Sequence, residues 1–173
     1  WDALKEFARK IPGIKFNETE LRADFPTGGR IQLFGAENVD AARGQYFDFV
    51  VCDEYAQMDS RMFAEVIRPA MTDRAPHSRV LFIGTPGMNS FYDLYEQAKT
   101  SAEWYTCVHK ASETGLVDPG ELRDAKKMMT DDQYSQEFEC SWTANISGSV
   151  YGKILEKMDN EKRLGRYPYD PGY

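Results

Sequence analysis

Two places in the sequence set chemistry-bearing side chains at the ends of short apolar runs. Phe47-Asp48-Phe49-Val50-Val51-Cys52 leads directly into Asp53-Glu54, and Val80-Leu81-Phe82-Ile83 leads into Gly84-Thr85-Pro86-Gly87. Open parallel sheets bind ligands beyond the carboxyl ends of their strands, so both junctions are candidate sites. An aspartate at such a tip suits Mg2+, which keeps much of its water and takes few protein oxygens. A glutamate one residue further on can orient and deprotonate an attacking water. The pair therefore suits nucleoside triphosphate chemistry. The structural alternative is that Asp53 caps the next turn and Glu54 is a solvated charge.

Thr85 offers a small hydroxyl at the neighbouring tip, able to sense a γ-phosphate, with Gly84 and Pro86 making a tight exit. A plain strand-to-turn junction would look the same. Arg43 lies in the glycine-bounded loop Gly35 to Gln45, ahead of the first apolar run. Its guanidinium could neutralise charge on a transferring phosphoryl group, in its own site or a neighbour's. It could equally pair with Asp40 or Asp48. A phosphate-gripping loop needs Gly-x-x-x-x-Gly-Lys-[Ser/Thr], and neither Pro12-Gly13-Ile14-Lys15 nor Thr27-Gly28-Gly29-Arg30 has that spacing. If the chain serves a triphosphatase, that loop is expected upstream of it.

The elements that must position these groups are legible. Trp1, Leu4, Phe7, Ala8 and Ile11 share one helical face, stopped by Pro12-Gly13. Ile14 to Phe16, Leu21 to Phe25 and Ile31 to Phe34 read as short strands of a hairpin or meander. The two nearly continuous apolar runs read as strands covered on both faces. Between them lies a helix capped by Asp59 or Ser60, with Met62, Phe63, Val66, Ile67 and Ala70 buried. Ser90 is the expected cap of a helix carrying Phe91, Leu94, Tyr95 and Ala98 at i, i+3, i+4 and i+7. Alternation from Tyr105 to Lys110 predicts a further, more exposed strand. The order strand, helix, strand, helix, strand indicates a mainly parallel α/β sheet. Beyond it, Asp118-Pro119-Gly120-Glu121 and Thr130-Asp131-Asp132-Gln133 open two helices. Residues 160–173, with Gly165, Pro168, Pro171 and Gly172, read as a linker.

At 173 residues the chain can bury roughly 70% of its unfolded surface, enough for a core without staples. Hydrophobic residues at 42% and charged residues at 28% argue against wholesale disorder. The net charge of −7 excludes a globally basic nucleic-acid-binding surface, although a local basic patch survives. Lys99, Lys110, Lys126 and Lys127 read as solvated helix charges. Cys52, Cys107 and Cys140 are too few for a disulfide framework, and no ligand spacing joins them to His77 or His109, so a zinc site is not expected. No apolar stretch is long enough to span a bilayer, and a cytosolic setting is expected.

Taken in order, Ile31-Gln32-Leu33-Phe34-Gly35-Ala36-Glu37-Asn38, Ala42-Arg43-Gly44, Tyr46-Phe47-Asp48 and Val50-Val51-Cys52-Asp53-Glu54-Tyr55-Ala56-Gln57-Met58 resemble the large terminase subunit of tailed bacteriophages. Val80-Leu81-Phe82-Ile83-Gly84-Thr85-Pro86 resembles that family's coupling motif. Gln136-Glu137-Phe138-Glu139-Cys140-Ser141-Trp142 resembles the stretch that closes its ATPase region. The likeness runs over roughly residues 1–158.

The resemblance implies a RecA-like (ASCE) P-loop NTPase sheet without its Walker A element, followed by a small helical linker subdomain. Residues 1–112 would be the later part of the ATPase core, 113–158 the helical subdomain, and 159–173 a linker towards a nuclease domain. Asp170 falls in that linker and not on a strand, so it is not expected to bind metal. Asp53 would be the Walker B aspartate holding Mg2+, Glu54 the catalytic glutamate, Thr85 the coupling residue beside Gly84, and Arg43 an arginine finger acting across a ring. ATP and Mg2+ are the implied cofactors. The implied partners are double-stranded DNA, the portal protein, the small terminase subunit and further copies in a ring, in the host cytoplasm and transiently at the procapsid portal. A helicase or other translocase of the same fold, and a non-catalytic prophage remnant acting as an interaction module, remain open as alternatives.

Overall fold

The structure, a computed structural model, describes residues 1–37, 39–142, 158 and 161. Residues 143–157 of the expected 113–158 subdomain and, apart from residue 161, the expected linker over 159–173 with Asp170 lie outside the described residues. The chain divides into two compact units, one from residues 1–52 and 57–82, the other from residues 53–56 and the chain beyond 82.

In the first unit, α1 covers Asp2–Ala8. It ends short of the Ile11 expected from the apolar spacing, because Ile11 N–H already bonds back to the Ala8 carbonyl at 2.9 Å and Gly13 turns the chain at φ +81°. Only Ala8 of its stripe is buried, and Phe7 is exposed. Trp1 packs edge-on against Phe16 at 5.9 Å and donates its indole N–H to Glu18 at 2.6 Å. The meander consists of β1 (Lys15–Asn17), β2 (Arg22–Asp24) and β3 (Arg30–Gln32), all antiparallel. Phe16, Ala23 and Ile31 stand opposite one another, and Ala23 at the centre is fully buried. Asp24 bridges Arg22 and Arg30 at 3.0 and 2.9 Å, so the polar face is tied across strands as well.

The two apolar runs form β4 (Phe49–Cys52) and β5 (Arg79–Phe82), paired in parallel with Val50 opposite Val80 and Cys52 opposite Phe82. Parallel strands need a long crossover, and here it is helical. Met62–Ile67 is wound as a π-helix and runs into α2 (Arg68–Thr72). Met62, Val66, Ile67 and Met71 are buried, while the expected Phe63 and Ala70 are half-buried. Phe63 meets the ring of Phe82 edge-on at 4.8 Å. The cap expected at Asp59 or Ser60 falls instead on Arg61, without a side-chain cap bond; Asp59 accepts from the Arg61 backbone N–H at 2.9 Å and from its guanidinium at 2.7 Å.

Two expectations are corrected. The continuous apolar runs predict strands covered on both faces, but Phe49, Val51 and Leu81 are 59%, 48% and 45% exposed, whereas Cys52 on the other face is 1% exposed. The pair is covered on one face only. Among the described residues parallel pairing is confined to β4 and β5, so a mainly parallel sheet is not what they form.

In the second unit, α3 covers Ser90–Lys99, and its cap is Asn89 rather than Ser90: the Asn89 amide oxygen accepts from Phe91 N–H at 3.0 Å. Trp142 stacks on Tyr95 at 4.9 Å and meets Phe91 at 5.4 Å and Tyr92 at 5.5 Å, which makes an aromatic core along α3. The strand expected over Tyr105 to Lys110 is irregular chain. Tyr105 is 87% exposed, and alternation without a neighbouring strand to complete the ladder does not make a strand. Next come α4 (Ala111–Thr114), ended by Gly115 in the left-handed region, α5 (Pro119–Met128), capped by Asp118, and α6 (Asp131–Glu137). The capping box expected at Thr130 and Gln133 is complete in both directions. Among the described residues no helix is long and apolar enough to cross a membrane.

Candidate functional site

The residues that follow β4 and β5 lie in one unit and meet. The Tyr55 N–H donates to the Ile83 carbonyl at 3.1 Å, extending the contact beyond the ladder itself. Gly84 then approaches the other tip closely. A Cβ at this position would stand 3.1 Å from Glu54 Cα and 3.2 Å from Tyr55 N, and the glycine adopts φ +153°. Only a residue without a side chain fits both constraints.

Glu54 has φ +53°, a left-handed conformation that is uncommon for a non-glycine residue. Its neighbours hold it there. Tyr55 is buried, with its ring edge-on to Phe91 at 5.6 Å. The Ala56 carbonyl accepts from the Asn89 side-chain amide at 2.6 Å. Backbone strain that the surrounding structure holds in place clusters at functional positions. Asp53 and Glu54 are both exposed.

Thr85 is half-buried, and Pro86 and Gly87 beyond it are buried. The Thr85 hydroxyl donates to Glu137 Oε2 at 3.4 Å, and the Gln136 amide donates to the Pro86 carbonyl at 2.8 Å. Arg43 belongs to the first unit. It follows the 3₁₀ turn Val39–Ala42, is exposed, and precedes Gly44 at φ +75°. Asp48 pairs with Arg74 at 3.7 Å.

The geometry thus gathers Glu54, Gly84 and Thr85, with Asp53 one residue before Glu54, and leaves Arg43 in the other unit. Asn89, Gln136 and Glu137 were not among the expected site residues, although the last two lie in the family-like stretch 136–142, and all three bond to the turns that follow β4 and β5. Asn89 was detectable as a cap former beside Ser90, whereas Gln136 reaches Pro86 across 50 residues, a pairing that no local pattern encodes. Among the described residues no three His, Cys, Asp or Glu side chains converge as a protein-only metal cage. A cation at Asp53 would draw its other oxygens from ligand and water, which suits Mg2+. Lys99, Lys110 and Lys127 pair with Glu96, Glu113 and Asp124 at 2.7, 2.9 and 2.7 Å, and Lys126 lies over Tyr134, as solvated helix charges do. The three cysteines are free thiols.

Comparison with known proteins decides the family. The family described as "Terminase large subunit, T4likevirus-type, N-terminal" matches residues 2–158. The chain belongs to this family. It is also 26% identical to the terminase large subunit of Escherichia phage T5 over 171 residues, which is 95% of the chain and 38% of that protein's length. The fold is similar to the large terminase ATPase domain of Thermus phage P74-26, with a TM-score of 0.55 and 20% identity over 82% of this chain and 68% of that one. A mutant of the same domain gives a TM-score of 0.54 and 19% identity. This terminase chain thus has an α/β fold like that ATPase domain, with the helices and the small parallel and antiparallel sheets described above.

Proposed function

We propose that this chain forms part of an ATP-hydrolysing motor subunit that packages viral double-stranded DNA into a procapsid. The observation that carries the reading is the contact of the two strand tips, where the backbone of Gly84 lies against that of a left-handed Glu54. Residues 1–112 are assigned to the later part of the ATPase core and 113–158 to a helical linker subdomain. A nuclease domain beyond the linker is the further expectation.

In this reading Asp53 holds Mg2+ through an exposed carboxylate. When bound, the ion supplies charge neutralisation on the phosphate oxygens. Glu54, in its left-handed turn beside Gly84, orients the attacking water and takes its proton. A side chain at 84 would press on the backbone of Glu54 and Tyr55 and displace the glutamate. Thr85 presents its hydroxyl to the γ-phosphate and registers its departure. Arg43, exposed in a glycine-bounded turn, serves as a finger for a neighbouring subunit's site in a ring. The portal protein, the small terminase subunit and DNA are the partners of such a motor, in the host cytoplasm.

Glu54→Gln tests the assignment. In the full-length large subunit, DNA-stimulated ATP turnover should fall by about 10²–10⁴-fold while nucleotide still binds, as for loss of a general base. Phosphate release and nucleotide titration measure the two. Unchanged turnover refutes the mechanism.

A further inference from the structure

Helix α6 ends against the turn that follows β5. Gln136 donates its side-chain amide to the Pro86 carbonyl at 2.8 Å, and the next residue, Glu137, accepts the Thr85 hydroxyl at 3.4 Å. The helix is capped at its start and tied to α4 at its finish. Thr130 and Gln133 close a complete capping box at its start. At its finish the Phe138 carbonyl accepts from Ala111 N–H at 2.7 Å, and Glu139 accepts from the Ser112 hydroxyl at 2.7 Å. Any displacement of the Thr85–Pro86 turn therefore acts on a braced helix rather than on a loose side chain.

The two contacts differ in character. The Gln136 bond is short, involves a half-buried side chain, and grips a carbonyl on a buried residue. The Glu137 contact is long, and its carboxylate is exposed. A threonine hydroxyl carries one proton. It can donate to Glu137 or to a phosphate oxygen, but not to both. A carboxylate at that position also repels an arriving phosphate.

We infer that Gln136 and Glu137 are positioning residues that couple the Thr85 turn to α6: Glu137 holds the Thr85 hydroxyl when no phosphate is present and releases it when one arrives, while Gln136 keeps the turn fastened to the helix throughout. The inference rests on the nucleotide reading of the site. It adds an exchange of one hydrogen bond as the signal and α6 as the element that receives it.

The test uses the full-length large subunit with procapsids and DNA, measuring ATP turnover, KM for ATP and base pairs packaged per ATP. Gln136→Leu keeps the side chain's bulk and removes the donor. Turnover should stay within about threefold while DNA packaged per ATP falls about tenfold or more, since the loss is of coupling and not of chemistry. Glu137→Ala frees the hydroxyl, so KM for ATP should fall about three- to tenfold, the worth of one net hydrogen bond. That fall should disappear when Thr85→Val is added. Parallel loss of turnover and packaging in Gln136→Leu, or no loss of either, overturns the coupling role. If that variant fails to fold, an unchanged KM in Glu137→Ala overturns the inference by itself. Should Glu54→Gln leave turnover intact, the nucleotide reading fails; should Glu54→Gln abolish turnover while the Gln136 and Glu137 variants behave as wild type, only the coupling inference fails.

Discussion

Gly84 shows how much a single residue can decide at the site. Its φ of +153° is outside the range that side chains favour, and an added Cβ would lie 3.1 Å from a backbone atom that cannot rotate away. Gly84→Ala should therefore lose about 1–3 kcal/mol, the usual range for a residue forced into a sparsely populated backbone region. Urea unfolding would measure it. The same substitution should shift Glu54, so the structural loss and a functional loss come together. Little of this was legible beforehand. The sequence marks Gly84 as a turn residue, but a glutamate in the left-handed region has no sequence signal, since that conformation is advertised by glycine, asparagine and aspartate. Glu54 at φ +53° is held by Tyr55 and Ala56, whose partners lie more than 25 residues away.

At the scale of elements, local rules succeed where the information is local. The β4 and β5 runs, the Asp118 cap and the Thr130 capping box all follow from residues within one turn or one strand. Rules fail where a neighbour decides. Residues 105–110 alternate like a strand yet form none, and Asn89-Ser90 offers two competent caps in succession. The choice falls on Asn89 because its side chain has two ends in use. Its oxygen caps α3 and its nitrogen holds the Ala56 carbonyl at 2.6 Å. Asn89→Asp separates these roles, keeping the cap while removing the donor. Circular dichroism should show α3 retained, whereas amide exchange at Tyr55 and Ala56 should rise about fivefold for the lost bond. Protection equal to wild type would show that the Asn89 nitrogen does not restrain the loop.

Across the whole molecule, charge and burial define a window of pH. Arg61 hydrogen-bonds Asp59 and holds its carboxyl down at about 2. The Arg30 hydrogen bond lowers Asp24, and the Trp1 and Lys5 hydrogen bonds lower Glu18. A carboxylate with a depressed pKa stabilises the fold above its ordinary value near 4, and that contribution is lost as pH falls towards about 2. Cys52 behaves in the opposite sense. Burial pushes its thiol up from 9 to about 11, so its contribution is complete below 9 and is lost as the unfolded chain ionises above that point. The urea midpoint should be flat from about pH 5 to 8 and decline on both sides. Cys52→Ala should remove the cysteine's share of the alkaline decline and leave the acid limb unchanged.

The indoles are divided between the units as well. Trp1, beside Phe16, is the only tryptophan of the first, while Trp104 and Trp142 belong to the second, the latter stacked on Tyr95. With Trp1 replaced by Phe, all remaining tryptophan emission, excited selectively, originates in the half that carries Glu54, Thr85 and α6. A fluorimeter and one substitution then suffice to follow the melting of that half alone, without any attached dye.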